Sequence, residues 1–269
     1  MKAPARFIPS RSGRHGFTLT DLLAVLGVGA LLAFLLLPAR AGTQPKSDAV
    51  VCLNHLHQLI RAWQMYAGDN HDRLVMNFHG GLATGGAAAG DPRNAPWALG
   101  WLDWTTWPDN TNVLFLINDK YAKLARYTDQ DPNLFRCPAD RLVSAAQSAR
   151  GWTRRCRSYS ANVGIGAGNA EAGPWYPIYR HITSTTGFLY PGPAQTWVFL
   201  EEHPDSINDP AFFNPSAAAW VDTPANYHDG ATSFAFADGH AELHQWQSVV
   251  AADVHWLSYR GGRVSTNSY

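Results

Sequence analysis

Residues 14–37 read RHGFTLTDLLAVLGVGALLAFLLL, and the interpretation of the whole chain begins from this stretch. Its last sixteen residues, Leu22 to Leu37, contain no polar side chain. As an α-helix they would be roughly 24 Å long, and extension back to Phe17 gives about 31 Å, close to the hydrocarbon thickness of a bilayer. The pattern therefore predicts a transmembrane helix over residues 17–38.

The charge distribution supports this interpretation. Residues 1–16 carry four basic side chains and no acid, whereas the rest of the 269-residue chain holds 17 basic and 21 acidic residues. A basic segment before an apolar run is typical of a segment held on the cytoplasmic side of a membrane. The zero net charge of the whole chain gives no electrostatic case for binding nucleic acid.

A cleaved secretory signal peptide is the alternative, with Ala39-Arg40-Ala41 as the cleavage site. Two features disfavour it. The helical pattern continues beyond the apolar run through Tyr66, and Asp21 places a carboxylate at the edge of the hydrocarbon, where it needs a partner or a purpose.

A second helical pattern follows the apolar run. Apolar residues recur at helical spacing from Ser47 to Tyr66, and Gly68-Asp69-Asn70 then forms a capping and turn cluster. The pattern predicts an amphipathic helix over residues 39–70 that continues the membrane helix and packs on a head. Its apolar stripe is Val50, Leu53, Leu56, Ile60, Trp63 and Met65.

The segment from Arg14 to Leu23, RHGFTLTDLL, resembles the type IV prepilin motif. The resemblance implies that a peptidase cuts after Gly16 and that the new N-terminal residue, Phe17, is methylated. Asp21 stands where the family usually has glutamate, and its implied role is to neutralise the N-terminal amine of a neighbouring subunit.

Several later stretches are similar to blocks of one large-headed prepilin-like subfamily, abundant in planctomycete and verrucomicrobial bacteria. Its C-terminal signature is a histidine, nine residues and then Asp-Gly, which is matched here from His228 to Asp238-Gly239. The other matching stretches are CLN at 52–54, LFRCPAD at 134–140, SYSAN at 158–162 and FLEEHPDSIND at 199–209.

The resemblance implies a pilin-like α+β fold, in which a long N-terminal helix, half transmembrane and half amphipathic, packs on an antiparallel β-sheet head. The implied organisation is a cleaved leader (1–16), a transmembrane helix (17–38), its amphipathic continuation (39–70) and a loop-rich periplasmic head (71–269). The protein would then be a single-pass protein of the bacterial inner membrane that assembles into a periplasmic or surface filament.

The function implied is that of a non-catalytic structural subunit, a pseudopilin of a type II secretion system or a type IV pilus-like filament. Its partners would be other pilin or pseudopilin subunits, prepilin peptidase, the inner-membrane platform of the secretion system and membrane lipid. The resemblance also favours a disulfide between Cys52 and Cys137, although Cys137 and Cys156 close a shorter loop and could pair instead.

A β-hairpin is predicted near the C-terminus, because alternating residues flank Asp238-Gly239, a preferred two-residue turn. Pairing across that turn assigns each side chain to one of two faces. The predicted core face is Phe234, Phe236, Ala241 and Leu243, and the opposite face is Ala235, Ala237, His240, Glu242 and His244.

Two groups of residues are candidate ligands for a divalent metal, although polar pairing on a solvated face remains the alternative. Imidazoles and carboxylates near the hairpin suit zinc or a similar ion: His228, Asp238, His240 and Glu242. The oxygen-rich loop of residues 201–209 suits calcium: Glu201, Glu202, Asp205 and Asp209.

Two other functions remain as alternatives to the filament subunit. The tryptophans at positions 97, 101, 104 and 107 could form a membrane-tethered glycan-binding or adhesin head, or pack as a folded loop. A metal-dependent hydrolase is the second, but no nucleophile elbow, HExxH helix or P-loop is present in the sequence.

Overall fold

The computed structural model describes residues 18–36, 44–85, 94, 96–168, 181–213, 219–220, 222–246 and 264–265. The chain divides into two units, Met1–Gln44 and Pro45–Tyr269. The predicted processing residues Gly16 and Phe17 lie outside the described residues.

Helix α1, Leu19–Leu36, is the regular element of the first unit. The backbone amide and hydroxyl of Thr18 both donate to Asp21 Oδ2, at 2.9 and 2.7 Å, and the Asp21 amide donates back to Thr18 Oγ1 at 3.3 Å. This reciprocal pattern is a capping box, in which two otherwise unpaired amides at the start of a helix find side-chain acceptors. Asp21 therefore helps to cap the N-terminus of the helix in which it lies.

The structure corrects the prediction of a transmembrane helix over residues 17–38. Helix α1, Leu19–Leu36, has 18 residues, fewer than the predicted span of residues 17–38. No helix in the described part of the chain is long and apolar enough to cross a membrane. The predicted single-pass placement in the inner membrane, with a periplasmic head, is corrected with it.

Helix α2, Gln44–Asp69, ends at Asp69 as the sequence predicted. One side of α2 is buried in the head. The predicted apolar stripe is only partly right, because Val50 and Met65 are more than half exposed. The buried positions follow helical periodicity: Cys52, Leu56, Leu59, Ile60, Trp63 and Ala67.

The head contains a five-stranded sheet in the order β3-β1-β2-β5-β6. Strands β1 and β3 are parallel, whereas the β1–β2, β2–β5 and β5–β6 pairs are antiparallel. The sheet is therefore mixed, and the predicted purely antiparallel head beneath one long helix is wrong. The strands are β1 Tyr159–Asn162, β2 Trp197–Glu201, β3 Ala211–Phe212, β5 Ala231–Phe236 and β6 Ala241–Gln245.

The remaining described elements are short. Strands β4 (Ala219–Trp220) and β7 (Val264–Ser265) form a separate antiparallel pair. Helices α3 (Leu114–Ile117) and α4 (Ala145–Ala149) are single turns. Short 3-10 helices occur at Gly80–Leu82, Pro108–Asn110, Lys123–Tyr127, Pro132–Phe135, Thr185–Gly187 and Pro193–Gln195.

The main hydrophobic core lies between α2 and one face of the sheet. Successive residues of a strand point to opposite faces, so Tyr159 of β1 and Phe199 and Glu201 of β2 share the face that meets the helix. Tyr159 and Phe199 are fully buried in the same cluster as Leu56 and Trp63 of α2. The face of the sheet that packs against α2 is therefore its inner face.

The hairpin of β5 and β6 forms as predicted, but with a different register. Its loop has three residues, because the amide of Phe236 donates to the carbonyl of His240. Compared with a two-residue turn, this shifts the pairing by one, so that each face of β5 meets the β6 residues predicted for the other face. Phe234 consequently lies opposite Glu242, and Ala235, opposite Ala241, is the residue buried in the main core. The predicted core face was wrong.

The hairpin loop docks on α2 through two polar contacts. Gln64 Nε2 donates to the carbonyl of Ala237 at 3.1 Å, and His57 Nδ1 lies 3.3 Å from the carbonyl of Gly239. Gly239 has a φ of +102°, and a Cβ there would lie 3.1 Å from the Gln64 amide nitrogen. Glycine is thus required by both the backbone and the docking contact.

We expect Gly239→Ala to lower the free energy of unfolding by about 1–3 kcal/mol, because it strains the backbone and presses on Gln64. Gly151→Ala is the matched control, since Gly151 also has a positive φ, +77°, but a Cβ there would meet open space. Urea denaturation should show the smaller loss for Gly151→Ala. Equal losses would mean that the Gln64 contact contributes nothing.

Candidate metal centre

Four buried side chains converge between α2 and the sheet: Cys52, Cys137, Glu201 and His228. One potential ligand atom from each lies within 4.8 Å of all the others. Cys52 Sγ is 2.8 Å from Glu201 Oε1, which is 3.0 Å from His228 Nε2, and that nitrogen is 3.5 Å from Cys137 Sγ. All four side chains are at most 5% exposed.

Each ligand comes from a different element. Cys52 is on the inner side of α2, and Glu201 is the last residue of β2, where strand alternation directs it toward the helix. Cys137 follows the 3-10 helix Pro132–Phe135, and His228 lies in the turn before β5. Each also falls in one of the sequence blocks CLN, LFRCPAD, FLEEHPDSIND and H-x9-DG.

A second layer of hydrogen bonds orients three of these side chains. The hydroxyl of Tyr159 is 3.0 Å from Cys52 Sγ, and the amide of Ala139 donates to Cys137 Sγ at 3.4 Å. The amide of Ser233 donates to the other carboxylate oxygen of Glu201 at 2.8 Å. Such contacts hold ligand atoms in place and stabilise thiolate and carboxylate charge.

The electrostatics of the cluster depend on burial. Burial raises the pKa of Cys52 to about 11 and also raises that of Cys137, so both are thiols when only each other, Glu201 and His228 surround them. Burial opposes charge on Glu201 and His228 as well, but their contact outweighs it. The pKa of Glu201 is lowered, and hydrogen bonds to Cys137 and Glu201 raise the pKa of His228 to about 10.

The structure leaves the three cysteines free, so the predicted disulfide between Cys52 and Cys137 is not formed. Their sulfurs nevertheless lie within 4.8 Å of each other, so the two cysteines are neighbours without the predicted bond between them. Cys156 is buried elsewhere, and its thiol donates to the carbonyl of Asp109 at 3.3 Å. The alternative pair of Cys137 and Cys156 is not formed either.

The predicted calcium loop is divided between different environments. Glu202 follows Glu201 along the chain and therefore points to the other side of the sheet. Asp209 accepts backbone hydrogen bonds from Gly80 and Ala211, both at 2.9 Å, and Asp205 accepts from the indole of Trp104 at 3.1 Å. Glu202 and Asp209 are close enough for Asp209 to raise the pKa of Glu202, but neither belongs to the four-residue cluster that contains Glu201.

The hairpin ligands also separate from His228. Asp238 Oδ1 lies 2.6 Å from His240 Nδ1, and the two side chains form an exposed turn pair. Glu242 lies on β6 with an exposed side chain. Of the predicted metal residues, Glu201 and His228 are the two that belong to the four-residue cluster.

Sequence reasoning missed that the two cysteines complete this group. They are 85 residues apart in a pattern with no CxxC spacing, so no local motif marked them. The sequence did contain one signal, because each of the four blocks holds one member of the cluster.

Two tryptophans of the tryptophan-rich stretch, Trp97 and Trp104, contact other residues of the head. Trp97 is 1% exposed, and its indole donates to Asn77 Oδ1 at 3.1 Å. Trp104 stacks beneath the guanidinium of Arg155, 4.3 Å from its ring centre. Trp107 is the exposed member, so the four rings do not form one continuous surface.

No protein-family model, curated protein or solved structure matches this chain.

The buried carboxylate of Glu202, next to Glu201 along the chain, makes the free energy of unfolding depend on pH. Glu202 is fully buried, with Ser160, Ser206 and the charged Arg157 close to its carboxylate. Burial raises the pKa of Glu202 from its usual 4.5 to about 8. Glu202 is therefore protonated in the folded protein at pH values where it is ionised in the unfolded chain.

Its contribution to stability is fully present below about pH 4.5 and is lost as the pH rises toward 8. We expect Glu202→Gln to flatten that decline and to raise the free energy of unfolding at pH 8 by about 1 kcal/mol or more. Chemical denaturation across this range tests it, with the exposed Glu242→Gln as control. A wild-type slope unchanged by Glu202→Gln would contradict the prediction.

Proposed function

We propose that this chain is a non-catalytic structural subunit of a prepilin-like filament, of the type II secretion pseudopilus or type IV pilus kind. In this proposal prepilin peptidase cuts after Gly16, Phe17 becomes the methylated N-terminus, and α1 packs against the same helix of other copies. The head then forms the outer surface of the filament.

The observation that carries the proposal is the surface of α1. Its large apolar side chains are exposed on all sides of the helix, including Leu19 at 75%, Val25 at 62% and Leu32 at 56%. A helix that is apolar all round is stable only when it is surrounded. In a filament, copies of α1 would cover one another on every side. A groove of one partner protein would cover only one side of the helix.

Asp21 supports the same arrangement. Both hydrogen bonds from Thr18 end on Oδ2, and the Asp21 side chain is exposed. Its carboxylate can therefore be reached by the N-terminal amine of a neighbouring subunit, as the prepilin resemblance implies. A charge pair of this kind sets the register between otherwise featureless apolar helices.

A structural role is also favoured by the character of the buried cluster. Its four side chains are enclosed, and catalytic metal sites keep one coordination position open for water or substrate. The cluster therefore suits the interior of a stable head better than it suits a hydrolase.

Mass spectrometry of the protein from its native cells tests processing. We expect a mature chain that begins at Phe17 and carries one methyl group. An intact Met1, or a chain that begins after Ala41, would contradict the proposal.

Asp21→Asn tests assembly, because asparagine keeps the acceptor of the capping box and removes the charge. We expect filament yield in native cells to fall by about tenfold or more, the loss that follows from about 1.4 kcal/mol per subunit contact. Asp21→Glu, which keeps the charge, is the matched control and should assemble. Filaments are measured by shearing, sedimentation and electron microscopy, and normal yield from Asp21→Asn would exclude the charge-pair role.

A further inference from the structure

We propose that Cys52, Cys137, Glu201 and His228 bind one zinc ion, and that this ion holds α2, the segment around Cys137 and the sheet together. The inference concerns the interior of the head and does not depend on filament assembly.

The geometry fits a tetrahedral ion. Four ligands at the usual zinc distances of about 2.0–2.3 Å stand roughly 3.3–3.8 Å apart. The observed separations of 2.8, 3.0 and 3.5 Å between neighbouring ligand atoms, with all four within 4.8 Å, approach this arrangement. Shifts of about half an ångström, within the reach of side-chain rotation, would complete it.

The chemistry of the donors selects the metal. Two sulfurs, one imidazole nitrogen and one carboxylate oxygen suit zinc, whereas calcium takes six to eight oxygen ligands. Zinc binding would release the thiol protons of Cys52 and Cys137 and require neutral His228. Two thiolates and one carboxylate against a divalent cation leave a single negative charge, smaller than the charge of the three anionic ligands alone.

The surroundings indicate a structural ion. Four protein ligands fill a tetrahedral shell, and the side chains are buried, so there is no position for a substrate. The Ala139 and Ser233 amides already donate to two of the ligands, and the Tyr159 hydroxyl lies 3.0 Å from a third, Cys52 Sγ. Because the ligands span residues 52 to 228, one ion would close very long loops of the chain.

The first experiment counts metal on the purified full chain. We expect about one zinc per chain by elemental mass spectrometry and three reactive thiols after denaturation with a chelator, those of Cys52, Cys137 and Cys156. Cobalt exchanged into the site should give the intense visible absorption of four-coordinate cobalt and a near-ultraviolet thiolate-to-metal band.

Variants with a matched control locate the site. Cys52→Ser and Cys137→Ser should each abolish stoichiometric zinc and lower the Tm by about 10 °C or more. Cys156→Ser introduces the same change at a third buried cysteine, whose thiol contacts Asp109 instead, and should retain zinc and the thiolate-to-cobalt band. If a ligand variant fails to fold, the metal count and cobalt spectrum of the wild type still decide.

Three results would overturn the proposal. One is a wild-type chain without stoichiometric zinc that also fails to take it up when zinc is supplied during refolding under reducing conditions. Another is a Cys52–Cys137 disulfide in the protein isolated from its native cells. The third is loss of zinc from Cys156→Ser equal to that from Cys52→Ser, which would reflect disturbed packing rather than a lost ligand.

Discussion

The head is organised around the contact between helix α2 and the inner face of the sheet, where polar groups are buried together with the main core. Two thiols, a carboxylate and an imidazole meet at this contact with almost no exposure to solvent. Buried polar and charged groups destabilise a fold unless each finds a partner. The position of α2, the end of β2 and the turn before β5 are therefore constrained by one another.

Alternation along β2 divides the acidic residues of the head. Glu201 faces α2 and joins Cys52 and His228, while Glu202, one residue later, is directed into a separate buried environment beyond the other face. Two adjacent carboxylates that look like one oxygen-rich site in the sequence thus have different chemistry. The first is held ionised by His228, and burial favours the protonated form of the second.

The hairpin shows how a local motif can be predicted correctly and placed wrongly. The alternating residues around Asp238-Gly239 gave two strands and a turn, and both are present. A three-residue loop docked on Gln64 of α2 replaced the expected two-residue turn, and one step of register moved the β6 residues relative to those of β5. The residue of α2 that the loop contacts lies 173 positions earlier in the chain.

The sequence by itself determined the elements that depend on neighbouring residues: an apolar helix within residues 17–38, the end of α2 near Asp69 and the existence of the hairpin. Side-chain periodicity and capping are local, so they can be read from a short window. Only the tertiary structure decided that the sheet is mixed and that Cys52 and Cys137 join Glu201 and His228. That convergence depends on the packing of one helix on a sheet built from distant strands, and no local pattern in the sequence specifies it.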